Sequence, residues 1–274
     1  MRTLVHLSDL HFGRIDQALI APLIQSIEAI APDVVVVSGD LTQRARSGEF
    51  KAARQFLDAL PKPQIVVPGN HDIPLHNVFN RFVRPLDKYR RYIATDLEPT
   101  WVDAEIAVLG VNTARSATFK DGRINAEQID RLEGRLRSAD GNVIKVVVTH
   151  HPFDLPAHYA SSDLVGRASI AMRAFAEHGI DLLLAGHLHA SHAGGTAVRH
   201  RIADYSALAV QAGTATSTRG RGEVNSFNVI RVDAPRITVG RFAWAEHTAT
   251  FDSMDSQVFE RTAKGWAAAS DISK

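Results

Sequence analysis

The chain has no cysteine, which excludes a disulfide framework and thiolate chemistry and leaves His, Asp, Asn and Glu as the only side chains able to build a metal site. No apolar run reaches transmembrane length, so no membrane span is expected. The apolar stretch at the N-terminus, Thr3 to Leu7, is broken by Ser8 and Asp9 and is too short for the apolar region of a secretory signal, so the expected location is cytoplasmic. Charge of one sign is also missing. A formal net charge of +1 and the lack of an aromatic-basic strip argue against a partner in duplex nucleic acid. With no internal repeat and no linker, residues 1–274 are read as one domain, with an Ala- and Ser-rich tail after Val258 expected to be mobile. What the chain does have is a globular composition, 45% hydrophobic and 22% charged, and thirteen histidines that cluster.

The first part of the chain alternates strand and helix patterns. Thr3–Leu7, Val34–Val37 and Ile65–Val67 read as short buried strands. Between them, Ala18–Ile30 has helical apolar spacing, and Ser47 is placed to cap a helix running to Leu60. Residues 73–100, rich in Arg, Pro and aromatics, give no readable order. Beyond them, Ile106–Val111, Lys145–Thr149 and Leu182–Ala185 read as strands. Helices are expected over Asn125–Leu136, with Asn125 and Gln128 forming a capping box, and over Ile170–His178. After Gly195 the pattern turns to strands, including Phe227–Val232 and Ile237–Phe242.

Polar clusters fall at the C-terminal ends of these strands: Ser8-Asp9-Leu10-His11, Ser38-Gly39-Asp40, Gly69-Asn70-His71-Asp72, Thr149-His150-His151-Pro152 and Gly186-His187-Leu188-His189. Ligands of open α/β sheets bind outside those ends. Two divalent ions about 3.5–4 Å apart can clamp a phosphate and activate water, and holding them that close calls for a bridging carboxylate. Asp40 is the natural candidate. Imidazole suits Zn and Fe, and carboxylate or carbonyl oxygen suits harder ions such as Mn. Asp9 and His11, like His187 and His189, are one residue apart, which on extended backbone points both side chains to one side. Gly39, Gly69 and Gly186 precede candidate ligands and suit tight strand-exit turns.

Taken together, D-x-H, G-D, G-N-H-D, H-x-P and G-H-x-H resemble the signature of the calcineurin-like metallophosphoesterases, from Asp9 to His189. The resemblance implies a four-layer α/β/β/α sandwich of two mixed sheets flanked by helices. It implies two metal ions, Mn, Fe or Zn, the first held by Asp9, His11, Asp40 and His189 and the second by Asp40, Asn70, His150 and His187. It places His71 toward the substrate with Asp72 behind it as the catalytic pair. The wording S-D-L-H-F-G, G-N-H-D and T-H-H-P-F is similar to bacterial class III cyclic-nucleotide phosphodiesterases and their glycerophosphodiesterase relatives. That implies hydrolysis of a small phosphodiester, cyclic nucleotides foremost, by a metal-bridging hydroxide. A pyrophosphatase acting on a nucleotide-linked lipid or sugar shares the same blocks, and a non-catalytic scaffold of the same fold is the more distant alternative. A homodimer and a monomer both stay open.

Blander roles compete at single positions. Asp9 and Asp40 also suit helix N-caps, Asn70 a Gly-Asn turn, and His187 and His189 solvated loops. His6, within a strand, is read as structural, and His76, His158 and His200 as surface residues. His151 and His192 adjoin the ligand blocks. Arg81, Arg84, Lys88, Arg90 and Arg91 suit a solvated face or a phosphate entrance. Arg219 and Arg221, in a Gly-rich loop, are candidates for substrate contact. No arginine falls inside the strand-end blocks, which favours a singly charged diester over a dianionic monoester.

Overall fold

The computed structural model describes residues 1–75, 78–117, 121–137, 143–156, 158–219 and 222–272. Short strands, the central ones apolar and buried on both faces, assemble into two mixed sheets. The first contains β1 (Arg2–Leu7), β2 (Val34–Ser38), β3 (Gln64–Val67) and the C-terminal strands β10 (Ser226–Asp233), β11 (Arg236–Ala245), β12 (Thr250–Thr262) and β13 (Gly265–Ala268), in the order β13-β12-β11-β10-β1-β2-β3. The second contains β4 (Thr100–Val102), β5 (Ile106–Gly110), β6 (Ile144–Val148), β7 (Leu182–Ala185), β8 (His192–Gly195) and β9 (Leu208–Gln211), in the order β4-β5-β6-β7-β9-β8. β1, β2 and β3 run parallel, as do β5, β6, β7 and β9, so each group sends its C-terminal ends the same way.

Side-chain alternation divides the core into layers. Leu4, Val34, Val36, Ile65 and Val67 of the first sheet face Val108, Val146, Val148, Leu182 and Val210 of the second. Their neighbours Val5, Leu7, Val35 and Val37 pack instead against Leu23 and Ile27 of α1 (Ile20–Ile30) and Phe50 and Leu57 of α2 (Ser47–Ala59). On the outside of the second sheet, Ala107, Leu109, Val147 and Leu183 meet Leu132 and Leu136 of α5 (Ala126–Arg137) and Met172 and Phe175 of α6 (Ala168–Glu177). The result is the α/β/β/α sandwich.

Several local expectations change. Ser47 is the first residue of α2 rather than its cap; the Glu49 carboxylate accepts the Arg44 and Arg46 backbone N–H groups there, at 2.8 and 3.2 Å. At α5 the Asn125–Gln128 box is present, with Asn125 Oδ1 accepting Gln128 N–H at 2.9 Å and Gln128 Oε1 accepting Asn125 N–H at 3.3 Å. The unread segment 73–100 contains two short helices, α3 (Val78–Val83) and α4 (Asp87–Tyr92). The expected mobile tail is ordered over residues 259–272: it completes β12, turns, and forms β13, with Trp266 buried in the inter-sheet core. β13 covers only Phe259–Thr262 of β12, and Met254 is the extra residue of a bulge against Arg241 and Phe242. Among the described residues no helix is long and apolar enough to cross a membrane.

Candidate metal centre

The site forms where the two parallel groups end. Asp9 and His11 follow β1, Asp40 follows β2 and Asn70 follows β3, all from the first sheet; His150 follows β6, and His187 and His189 follow β7, from the second. All seven come together. Asp9 Oδ1 lies 3.1 Å from His189 Nε2 and 3.6 Å from His11 Nε2. Asp40 Oδ2 lies 3.4 Å from His150 Nε2 and 3.8 Å from His11 Nε2, so this carboxylate stands between the two groups of imidazoles. Asn70 Oδ1 is 3.0 Å from His150 Nε2, and His187 Nδ1 is 3.3 Å from the same nitrogen.

Backbone conformation aims these side chains, by a different route from the extended one expected. Asp9, His11, Asp40, His187 and His189 all have φ between 52° and 75°. This left-handed region is uncommon for residues with a Cβ, and such outliers concentrate where the surroundings over-determine them. The glycines also differ from expectation at two places. Gly186 and Gly69 have no positive φ; what they provide is space. A Cβ on Gly186 would overlap Ser8 Oγ and lie 2.6 Å from Asp9 Oδ2, and one on Gly69 would overlap Asp40 Oδ1.

Contacts behind the cluster fix the rings and tie the sheets together. His150 Nδ1–H donates to Ser38 O at 2.8 Å across the sandwich, which turns Nε2 toward Asp40 and Asn70. His187 N–H donates to Asp9 Oδ2 at 2.9 Å, also across the sheets. His189 Nδ1–H donates to Arg219 O at 3.4 Å.

Three features suit this donor set to cations. Asp9 Oδ1 and His11 Nδ1 are buried and, among the described residues, have no hydrogen-bond partner. Imidazole nitrogens face each other at 3.3 Å in two places, His11 Nε2 with His189 Nε2 and His187 Nδ1 with His150 Nε2. Candidate ligand atoms of Asp9, His11 and His189, of Asp9, Asp40 and His150, and of His150, His151 and His187 each fall within 4.8 Å of one another. The electrostatics agree. Burial alone would raise the Asp40 carboxyl, but the His150 charge and hydrogen bond outweigh it and hold it well below the usual carboxylate range. Burial works against a charged His150 as well, yet Asp40 draws a proton onto it and lifts it to about 9. A metal ion competes for the nitrogen that such a proton occupies.

The placement of His71 and Asp72 corrects their expected pairing. His71 N–H donates to Asp40 Oδ1 at 2.8 Å, and its ring packs edge-on to His11 with centroids 5.0 Å apart. Its Nδ1–H donates to Gln43 O at 2.9 Å. The buried Asp72 carboxylate instead accepts N–H groups from Gly69, Leu41 and Thr42 and the Thr42 hydroxyl, at 2.9 to 3.2 Å. Burial, with the Asp40 charge added, raises Asp72 to about 6. It therefore braces the turns that carry Asp40 and His71 and does not stand behind the His71 ring. Thr42 and Gln43, which do this supporting work, carried no signal beyond lying next to the Gly-Asp block.

Arg219 lies beside the strand-end blocks, although it falls outside them in sequence. Its Nη1 donates to His71 Nε2 at 3.1 Å. The cations of 81–91 are engaged elsewhere: Arg81 is buried and donates to Ser116 O, Lys88 to Ala45 O and Arg90 to Thr95 O, Arg84 is 3.8 Å from Asp87, and Arg91 lies over Tyr92. His151 is buried against the rings of His150 and His187, with Nδ1 2.9 Å from Thr113 Oγ1. His6 is buried beside Ser38 Oγ at 2.9 Å, His200 Nε2–H donates to Phe153 O at 2.9 Å, and His192 opens β8. His76 and Arg221 lie outside the described residues.

A two-sheet α/β sandwich with histidines and carboxylates converging at its strand ends defines a metal-dependent phosphoesterase. The chain belongs to the calcineurin-like phosphoesterases, whose family profile matches residues 2–191, and members of this family use a dinuclear metal centre. It is 29% identical over 222 residues to the glycerophosphodiester phosphodiesterase GpdQ of Enterobacter lignolyticus, a match covering 73% of this chain and 78% of that one. Over 157 residues it is 24% identical to a probable cyclic nucleotide phosphodiesterase of Ruthia magnifica, covering 54% of this chain and 60% of that protein. Among solved structures, purple acid phosphatase PPD1 from yellow lupin superposes with a TM-score of 0.69 at 11% identity; the match covers 94% of this chain but only about half, 53%, of the lupin enzyme. At that identity the likeness shows the fold alone.

Proposed function

We propose that this protein hydrolyses small phosphodiesters, cyclic nucleotides or glycerophosphodiesters, at a dinuclear site. Asp9, His11, Asp40 and His189 would hold one ion, and Asp40, Asn70, His150 and His187 the other, with Mn, Fe or Zn as the metals. In this reading residues 1–274 act as one domain in the cytoplasm, on a small-molecule substrate. The observation that carries it is Asp40, whose carboxylate stands between His11 and His150 and so between the two donor groups. The names of the relatives support the diester class.

When bound, two such ions supply Lewis-acid charge at the phosphoryl oxygens and acidify water. The chain's own residues do the rest. Asp40 keeps the two donor groups together, and its second oxygen, through the His71 N–H, fixes the turn that carries His71. Gln43 O fixes the His71 ring by its Nδ1–H, so that Nε2 is the nitrogen that faces the Arg219 guanidinium.

The test is metal analysis and kinetics on the Mn²⁺-loaded protein. Two metals per chain are expected, with kcat/KM higher for bis-p-nitrophenyl phosphate and cyclic nucleotides than for p-nitrophenyl phosphate. Asp40→Ala should lose metal and at least about 100-fold in rate, since it removes a group both donor sets share. Two metals and a near-normal rate in Asp40→Ala would refute the bridge, and a clear monoester preference would refute the diester assignment.

A further inference from the structure

We infer that Arg219 contacts the substrate, binding a non-bridging oxygen of the phosphoryl group and setting how strongly the site accepts doubly charged phosphate species beside singly charged diesters. This rests on the phosphoesterase site described above and adds a residue to it.

The loop after β9 holds Arg219 in place by bonds to the segment that follows β1. Ala215 N–H donates to Ser8 O at 3.1 Å, Thr216 Oγ1 to Leu10 O at 2.7 Å and Thr218 N–H to Arg14 O at 3.1 Å. Arg219 N–H itself donates to Ser217 Oγ at 3.1 Å. From that anchor the residue touches the site at two points. Its carbonyl accepts from His189 Nδ1–H, on the side of Asp9, while its guanidinium lies on His71 Nε2. A phosphate approaching the carboxylate-histidine cluster beside His71 therefore meets this guanidinium.

A guanidinium has five N–H donors in a planar fork, and one of them serves His71. Among the described residues no carboxylate forms an ion pair with Arg219 that would neutralise its charge. The fork matches two phosphate oxygens, and the attraction grows with phosphate charge. A diester offers one negative charge; a monoester or inorganic phosphate near neutral pH offers close to two.

Arg219→Ala, Arg219→Lys, His71→Ala and the Arg219→Ala/His71→Ala double variant test this in Mn²⁺-loaded protein, with folding checked by circular dichroism. Inorganic phosphate binding is read by calorimetry, independently of turnover. Arg219→Ala should keep its metals and bind phosphate roughly 10- to 100-fold more weakly, the worth of a hydrogen bond to a charged group. Its kcat/KM should fall further for p-nitrophenyl phosphate than for bis-p-nitrophenyl phosphate. Arg219→Lys should recover part of the phosphate affinity through its charge. In the His71→Ala background the loss on removing Arg219 should persist. The inference is overturned if phosphate affinity in Arg219→Ala stays within about twofold of wild type, if metal is lost, if both substrates fall equally, or if the loss vanishes once His71 is gone, the last meaning that Arg219 only holds that ring. A wild-type protein that binds phosphate but releases no nitrophenol from either ester would instead refute the phosphodiesterase reading, leaving the binding result to judge Arg219.

Discussion

At the residue scale, space does as much as chemistry. Five of the seven candidate ligands sit in left-handed backbone, and the glycines beside them are needed because neighbouring atoms already occupy the place of a Cβ. Gly186→Ala should therefore displace Ser8 and Asp9 and weaken metal binding on the Asp9 side, with the first metal equivalent lost in a titration that leaves the far-ultraviolet spectrum intact. Gly48, in the first turn of α2, has nothing within 4 Å of the place a Cβ would take and is the control. Gly48→Ala should leave metal binding alone and raise stability by up to about 1 kcal/mol in urea unfolding, because alanine loses less backbone freedom on folding. Equal metal loss in both variants would contradict the steric account. The candidate ligands could be named from residue type and spacing; their left-handed geometry could not be read, since D-x-H gives no sign of φ.

At the element scale, strands β1, β2, β3, β5, β6, β7, β10 and β11 and helices α1, α2, α5 and α6 could be read because their apolar periods are local. The strand-end blocks could be read because five polar clusters in step with five strands are hard to mistake. The capping box of α5 was visible for the same reason, whereas the α2 start was misread because Ser47 is a good cap by type while Glu49 satisfies the turn from inside the helix. Arg219 could not be placed, because only tertiary bonds between the β9 loop and the β1 loop bring it to His71, 148 positions away. Strand β1 also makes a prediction about acid. Burial lowers His6 from its ordinary value to about 3, whereas in the unfolded chain it would titrate near 6.5. Between those values the unfolded state binds one more proton, so the contribution of His6 is fully present above about pH 6.5 and is lost as pH falls toward 3. The slope cannot exceed about 1.4 kcal/mol per pH unit for one group. Unfolding free energies measured from pH 7 to 5 should fall less steeply in His6→Gln than in the wild type; parallel curves would show that His6 is not the group being charged.

At the scale of the whole molecule, the site draws Asp9, His11, Asp40 and Asn70 from one sheet and His150, His187 and His189 from the other. Ions held there would fasten the two halves of the sandwich. Chelation should then lower the melting temperature of the entire protein in one transition. A ligand at about 1,000 times its Kd contributes about 4 kcal/mol, and at this chain length each kcal/mol moves Tm by about 2–4 °C, so a drop on the order of 10 °C is expected in calorimetry. An unchanged Tm with metal demonstrably removed would mean that the ions do not bridge the sheets. The far side of the molecule has its own consequence. Along Ser253–Gln257 β12 is exposed, and among the described residues no strand covers its outer side. Bare backbone of this kind templates fibre growth in concentrated solution. Here the bulge at Met254 breaks the regular spacing of amide groups, and the exposed Asp255 carries charge at its centre, so one molecule cannot readily extend the sheet of the next.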